Sequence, residues 1–129
     1  MLAADTNVLV RLLTGDEPAQ AARARALFER EEVLLVKTVI LESEWVLRRL
    51  YRFDRNRIAD ALAAAIALPS VACEDVAAVA DAIRWMREGL DFADALHLAS
   101  SRAAGRFATF DGRLVSRAKA VTGVRVIRA

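Results

Sequence analysis

Four carboxylates stand far apart in this chain, each in an otherwise apolar or turn-like setting. Asp5 follows the short apolar start Met1–Ala4 and opens DTNVLVRLL, and Glu42 lies inside VILESEWVL. Asp94 follows Asp91 in DFADALHLA, and Asp111 ends FATFD. An acid that ends a strand or interrupts an apolar helix pattern is costly to bury alone. If the fold gathers these four, the simplest compensation is a shared divalent cation. Hard cations such as Mg²⁺ take oxygen ligands, often a few carboxylates completed by waters and substrate phosphates.

Each acid also has an ordinary explanation. On the helix containing Glu42, Glu44 lies four residues before Arg48, the spacing of a surface ion pair, so Glu44 is expected to face solvent. Glu42 has Val46 at that spacing, Trp45 at three and Val39 on its other side. It therefore sits on a largely apolar stripe, with Arg49 as its nearest cation. Asp91 suits an N-cap, where its oxygen accepts a backbone N–H. Asp94 then falls at the third helical position, where an acid offsets the helix dipole. A neutral cap would serve that helix equally well, so Asp91 is assigned to capping and support, and Asp94 to the metal. Asp5 alone could cap the following helix, and Asp111 alone could start a turn with Gly112. All four having only local roles at once is the less economical reading.

Thr6 and Asn7 place a hydroxyl and an amide beside Asp5, suited to orienting it or holding a phosphate, or simply polar at a helix start. His97, the only histidine, is expected to pack or to support a neighbour rather than to ligate. Trp45 and Trp85 read as core or interface residues. Arginines gather at Arg48, Arg49, Arg52, Arg55 and Arg57, and again at Arg102, Arg106, Arg113 and Arg117. Such helices are often just solvated faces. Flanking acids that hold a cation, they also suit a phosphate backbone.

These residues need elements to position them. At 129 residues the chain suggests one domain, residues 1–129, and 56% hydrophobic residues supply one core. A single cysteine, Cys73, excludes an internal disulfide and fits a reducing, cytoplasmic compartment. Met1–Ala4 has no basic signal-peptide region, and the apolar stretch Ala61–Pro69 is too short for a bilayer. The net charge of +2 and pI near 9.2 only mildly favour a nucleic-acid partner. The pattern predicts strands at Leu2–Ala4, Val33–Lys37, Val71–Cys73, Phe107–Phe110 and Val124–Ile127. Between them it predicts helices at Thr6–Leu13 (stopped by Gly15), from an Asp16 cap to Arg30, and from a Thr38 cap to Phe53. Further helices run from Asp54 to Leu68, across Asp75–Gly89, from Asp91 to Ala104 and across Gly112–Val121. Short apolar strands alternating with helices imply a parallel sheet covered on both faces. Ligands bind such sheets beyond the carboxyl ends of the strands, where Asp5 and Asp111 both fall.

At these residues the chain resembles the PIN-domain ribonucleases, and most closely the VapC toxins of bacterial toxin–antitoxin pairs. DTNVLVRLLTGDEPAQ (Asp5–Gln20) looks like the family's opening. ILESEWVLRRLYRF (Ile40–Phe53), DFADALHLA (Asp91–Ala99) and TFD (Thr109–Asp111) resemble its later acidic motifs, in order and across nearly the whole chain. The resemblance implies a three-layer α/β/α PIN-like fold, with a short parallel sheet flanked by helices. It implies Mg²⁺- or Mn²⁺-dependent RNA cleavage by an acidic quartet of Asp5, Glu42, Asp94 and Asp111, with Asp5 and Asp94 the metal ligands. Thr6, Asn7, Asp91 and Thr109 then support those ligands, and Arg48, Arg49 and Arg113 are candidates to hold RNA. It also implies a homodimer and a VapB-type antitoxin, with no membrane association and DNA reached only through the antitoxin. Two rivals stand beside it. One is a phosphatase or phosphotransferase with an aspartyl nucleophile, whose haloacid-dehalogenase-like form wants an acid where Asn7 stands. The other is an inactive binding module whose acids only cap helices.

Overall fold

The chain opens on β1 (Leu2–Ala3), followed by α1 (Thr6–Thr14), α2 (Pro18–Arg30), β2 (Val33–Leu35), α3 (Lys37–Arg49), α4 (Arg55–Ile66) and β3 (Val71–Cys73). Then come α5 (Val76–Arg87), α6 (Phe92–Ser100), a 3₁₀ turn at Arg102–Ala104, β4 (Phe107–Thr109), α7 (Gly112–Val121) and β5 (Val126–Arg128). This computed structural model describes residues 1–129. It divides into two compact units, Met1–Val76 and Ala77–Ala129.

In the first unit β1, β2 and β3 form a parallel sheet in that spatial order, with Leu2 opposite Val33 and Val33 opposite Val71. The central strand is the most buried: Val33 and Leu35 are fully enclosed, while β3 is half-buried. α1 packs on α2 and α3, and α3 on α4. Leu9, Val10, Phe28, Ile40, Leu47, Ile58 and Leu62 fill the core. In the second unit β4 and β5 pair in parallel, Phe107 opposite Val126, and α7 packs on both. Its core is Val79, Ile83, Trp85, Met86, Phe92, Leu96, Leu98, Leu114 and Ala118. No helix is long and apolar enough to cross a membrane.

The alternation of short strands and helices matches the expectation, but the strands pair as two sheets instead of one. Each has only two or three residues, so it carries few N–H and C=O groups with which to recruit another neighbour. Asp5 and Asp111 therefore follow strands of different sheets.

Helix boundaries follow local chemistry where the partners are local. Gly15 ends α1 in the left-handed region (φ 69°), its N–H returning to the Arg11 carbonyl. Asp54 caps α4 through the Arg57 N–H, at 2.8 Å. The caps expected from Asp16 and Thr38 are not made. Asp16 accepts instead from the Glu17 N–H (2.9 Å) and the Tyr51 hydroxyl (2.9 Å), while Glu17 enters α2 with a positive φ of 54°. At α3 the Lys37 N–H is served by the Glu74 carboxylate at 2.7 Å, from 37 residues away. α3 stops at Arg49 rather than Phe53, because Tyr51 N–H turns back to the Val46 carbonyl and Arg52 takes a positive φ of 57°. The helix begun at Asp91 ends at Ser100, where the Ser101 hydroxyl donates to the His97 carbonyl at 2.6 Å and the chain tightens into the 3₁₀ turn.

Candidate active site

Two of the acids sit in equivalent local positions. Asp5 lies two residues beyond β1 and caps α1, its Oδ1 accepting from the Val8 N–H at 3.1 Å. Asp111 lies two residues beyond β4 and caps α7, accepting from the Arg113 N–H at 2.9 Å and the Leu114 N–H at 3.4 Å. The Asp111 N–H in turn donates to the Thr109 hydroxyl at 3.0 Å. A strand that ends in an acid, which then starts the next helix, holds that carboxylate outside the sheet and close to its own backbone. Both side chains are exposed.

In the first unit Thr6 is buried, and its hydroxyl donates to the Glu42 carboxylate. This contact ties the start of α1 to α3. Glu42 itself is exposed and pairs with no cation, Arg49 included. The apolar stripe expected around Glu42 lies elsewhere: α3 buries Ile40, Ser43, Glu44 and Leu47. Glu44, expected in solvent, is 3% exposed, and its ion pair with Arg48 (2.9 Å) forms at the edge of that buried stripe. The helix buries this acid because one turn on it finds a guanidinium whose head reaches outward. Arg48, a candidate RNA contact, is therefore already engaged, while Arg49 and Arg113 remain exposed.

In the second unit Asp91 caps α6, accepting from the Asp94 N–H at 3.1 Å. Asp94 is partly buried, and its carboxyl is raised above the ordinary value. Burial is the largest cause, the negative charge of Asp91 adds to it, His97 opposes it and Asp111 adds again. Asp94 therefore lies within electrostatic reach of both Asp91 and Asp111. His97 is exposed, so of its two expected roles packing is not met, while it does act on the charge of Asp94 one turn away. Of the tryptophans, Trp85 is core, with Arg102 lying over its ring at 5.4 Å, whereas Trp45 is half exposed.

No three His, Cys, Asp or Glu side chains come close enough to form a ready-made metal cage. Mg²⁺ does not require one, since one or two carboxylates with waters and phosphate oxygens complete its octahedron. The donor chemistry fits such an ion. The acids are hard oxygen ligands, and Asp94 is raised by neighbouring carboxylates that a cation would relieve. None of Asp5, Glu42, Asp94 and Asp111 makes an ion pair, and only His97 stands near enough to Asp94 to offset its charge, whereas Glu44, Asp75 and Asp81 are all ion-paired.

Sequence reasoning missed a groove along α1 and α2. It encloses about 580 Å³ and is lined by Asp5, Arg11, Gln20, Arg23, Leu27 and Arg30 among others. The signal was available: Gln20, Arg23, Leu27 and Arg30 recur every three or four residues on α2, one helix face. Asn7, beside Asp5, also lines this groove.

The sequence matches the family model for the PIN domain over residues 3–120. No curated protein matches the chain. Among solved structures it is similar to the crystal structure of VapC20 of Mycobacterium tuberculosis, described as a toxin that cleaves the sarcin–ricin loop. The two are 23% identical with a TM-score of 0.45, the match covering 97% of this chain and 99% of the other.

Proposed function

This chain belongs to the PIN-domain family, and from that premise we propose that it is a divalent-metal-dependent endoribonuclease, the toxin of a VapBC-type toxin–antitoxin pair. The observation that carries the reading is charge left unpaired. Asp5, Glu42, Asp94 and Asp111 make no ion pair, and Asp94 is raised by burial and by like charges that the nearby His97 only partly offsets. Carboxylates serving only as caps gain nothing from one another's company.

In this reading Asp5 and Asp94 hold Mg²⁺ or Mn²⁺, and Glu42 and Asp111 complete the acidic set. When bound, the ion supplies Lewis-acid polarisation of a phosphodiester and lowers the pKa of water towards neutrality. The chain's own residues do the positioning. The Thr6 hydroxyl fixes Glu42, the α1 and α7 starts fix Asp5 and Asp111, and Asp91 fixes the first turn that carries Asp94. Residues 1–129 act as one PIN domain, as a cytoplasmic homodimer. A VapB-type antitoxin restrains it and reaches DNA through its own domain. An arginine of that antitoxin, placed among the acids, would compete with the cation for the same oxygens.

RNA incubated with purified, partner-free protein should be cut internally with Mg²⁺ or Mn²⁺ and spared in EDTA. Equal cutting in EDTA would remove the metal from the mechanism. Intact RNA under every cation condition would remove the ribonuclease reading.

A further inference from the structure

We propose that the groove between α1 and α2 is the track on which the sugar–phosphate backbone of single-stranded RNA lies as it approaches Asp5. The proposal rests on the ribonuclease reading above and adds where the strand is held. Three observations carry it. Arg23 and Arg30 line the groove without any carboxylate within ion-pair distance, so their charge is available to an anionic ligand, while Arg11 on the facing wall makes no ion pair but shares its charge with Asp16 through Tyr51. Asp5 is the one acid on the lining, where a backbone phosphate and a cation would meet on the same carboxylate. Between the arginines the walls are apolar, from Val8, Ala24 and Leu27, a surface suited to sugar and base faces.

The spacing is consistent with a strand. Arg23 and Arg30 are two turns apart on α2, about 10.5 Å along the axis. A stacked strand sets down a phosphate every ~3.4 Å, so the pair straddles about three phosphates. Arg11 faces them from α1 and is held in place, donating to the Gln20 side chain at 2.9 Å and to the Tyr51 hydroxyl at 2.8 Å. A held guanidinium loses less freedom when it takes a phosphate. An acidic peptide could also answer the arginines and a cation at Asp5. RNA is favoured because its phosphates recur evenly enough to meet both Arg23 and Arg30, while its sugar and base faces cover the apolar walls of Val8, Ala24 and Leu27 between them.

The test uses the full chain carrying Asp94→Asn, so that RNA is bound without being cut. A fluorescein-labelled single-stranded RNA of mixed sequence is titrated by anisotropy in Mg²⁺ over a range of KCl concentrations. Arg23→Glu with Arg30→Glu should weaken binding more than tenfold. It should also make the plot of log affinity against log salt shallower by about 1.4, the value for two lost phosphate contacts on a single strand. Arg23→Lys with Arg30→Lys should restore both. In an otherwise wild-type chain, the charge-reversed pair should raise KM for RNA more than it lowers kcat. If wild-type protein cuts RNA while the reversed pair binds it with unchanged affinity and slope, the groove is not the track and the ribonuclease reading stands. If the reversed pair loses only the co-expressed antitoxin, the groove is a protein site and the proposal falls. If the chain without these changes neither binds nor cuts RNA, the underlying reading falls, and the track with it. Circular dichroism of the glutamate pair against wild type separates misfolding from loss of contact.

Discussion

Burial raises the Asp94 carboxyl, and Asp91 and Asp111 add to it. The sign of the consequence for stability follows. In the unfolded chain an aspartate titrates near ~3.9. Between that value and the raised folded value the native state holds a proton the unfolded state has released, so stability falls as pH rises through the window and the cost is fully present above it. Asp94→Asn removes the cost. In EDTA the variant should melt above wild type at pH 7, with the gap closing towards pH 3, and thermal scans at both pH values check this. Its cutting should fall by about 100-fold or more, the upper end of what even an indirect metal partner costs. A second prediction separates two acids two residues apart. Glu42→Gln should lose cutting and leave the melting temperature nearly unchanged, since Glu42 is exposed. Arg48→Met should do the reverse, costing about 1–3 kcal/mol by leaving the Glu44 carboxylate buried without its partner. Parallel melting and cleavage assays decide between the two orders. The Glu44–Arg48 pair was legible from its spacing. Its burial was not, because a charged residue on a buried helical stripe reads as solvent-facing. Nor was the Thr6–Glu42 contact legible, since its partners are 36 residues apart.

α3 carries both Glu42, proposed for the acidic set, and an unmet polar group. Ser43 is fully buried and its Oγ has no hydrogen-bond partner. A buried unsatisfied hydroxyl costs about 1–3 kcal/mol, and alanine is the better helix former. Ser43→Ala should therefore stabilise the chain by about 1 kcal/mol or more, seen as a higher urea midpoint at unchanged slope, with cutting retained. Helix starts were readable wherever the capping acid serves its own next turn, as at Asp5, Asp54, Asp91 and Asp111. They were misread where the partner is distant or the backbone is unusual. Glu74 serves α3 from another segment, and Glu17 enters α2 through a positive φ.

Across the whole molecule, 19 basic residues nearly balance 17 acidic ones. On the proposed function, attraction to RNA comes from where charges are left unpaired, not from their sum. The same uneven pairing separates the candidate acids from Glu44, Asp75 and Asp81. The alternation of strand and helix was legible because it is local. The division of five strands into two parallel sheets was not, because register between two- and three-residue strands depends on partners many positions away. The arginine track escaped notice for a different reason. Arg23 and Arg30 are separated by a full heptad and form no dense basic cluster in the sequence.

Cys73, at the end of the edge strand β3, has its thiol pushed up to about 11, first by burial and then by Glu74 and Asp75. At pH 8 that leaves about one thiol in a thousand as the reactive thiolate, against about a quarter for an ordinary cysteine near 8.5. The single thiol is thus a clock for opening of the strand. An aromatic disulfide reagent should label the native chain at least ~100-fold more slowly than the urea-unfolded chain, and the native rate should track how often β3 peels from β2. Prompt labelling of the folded protein would show that this edge of the sheet is already frayed.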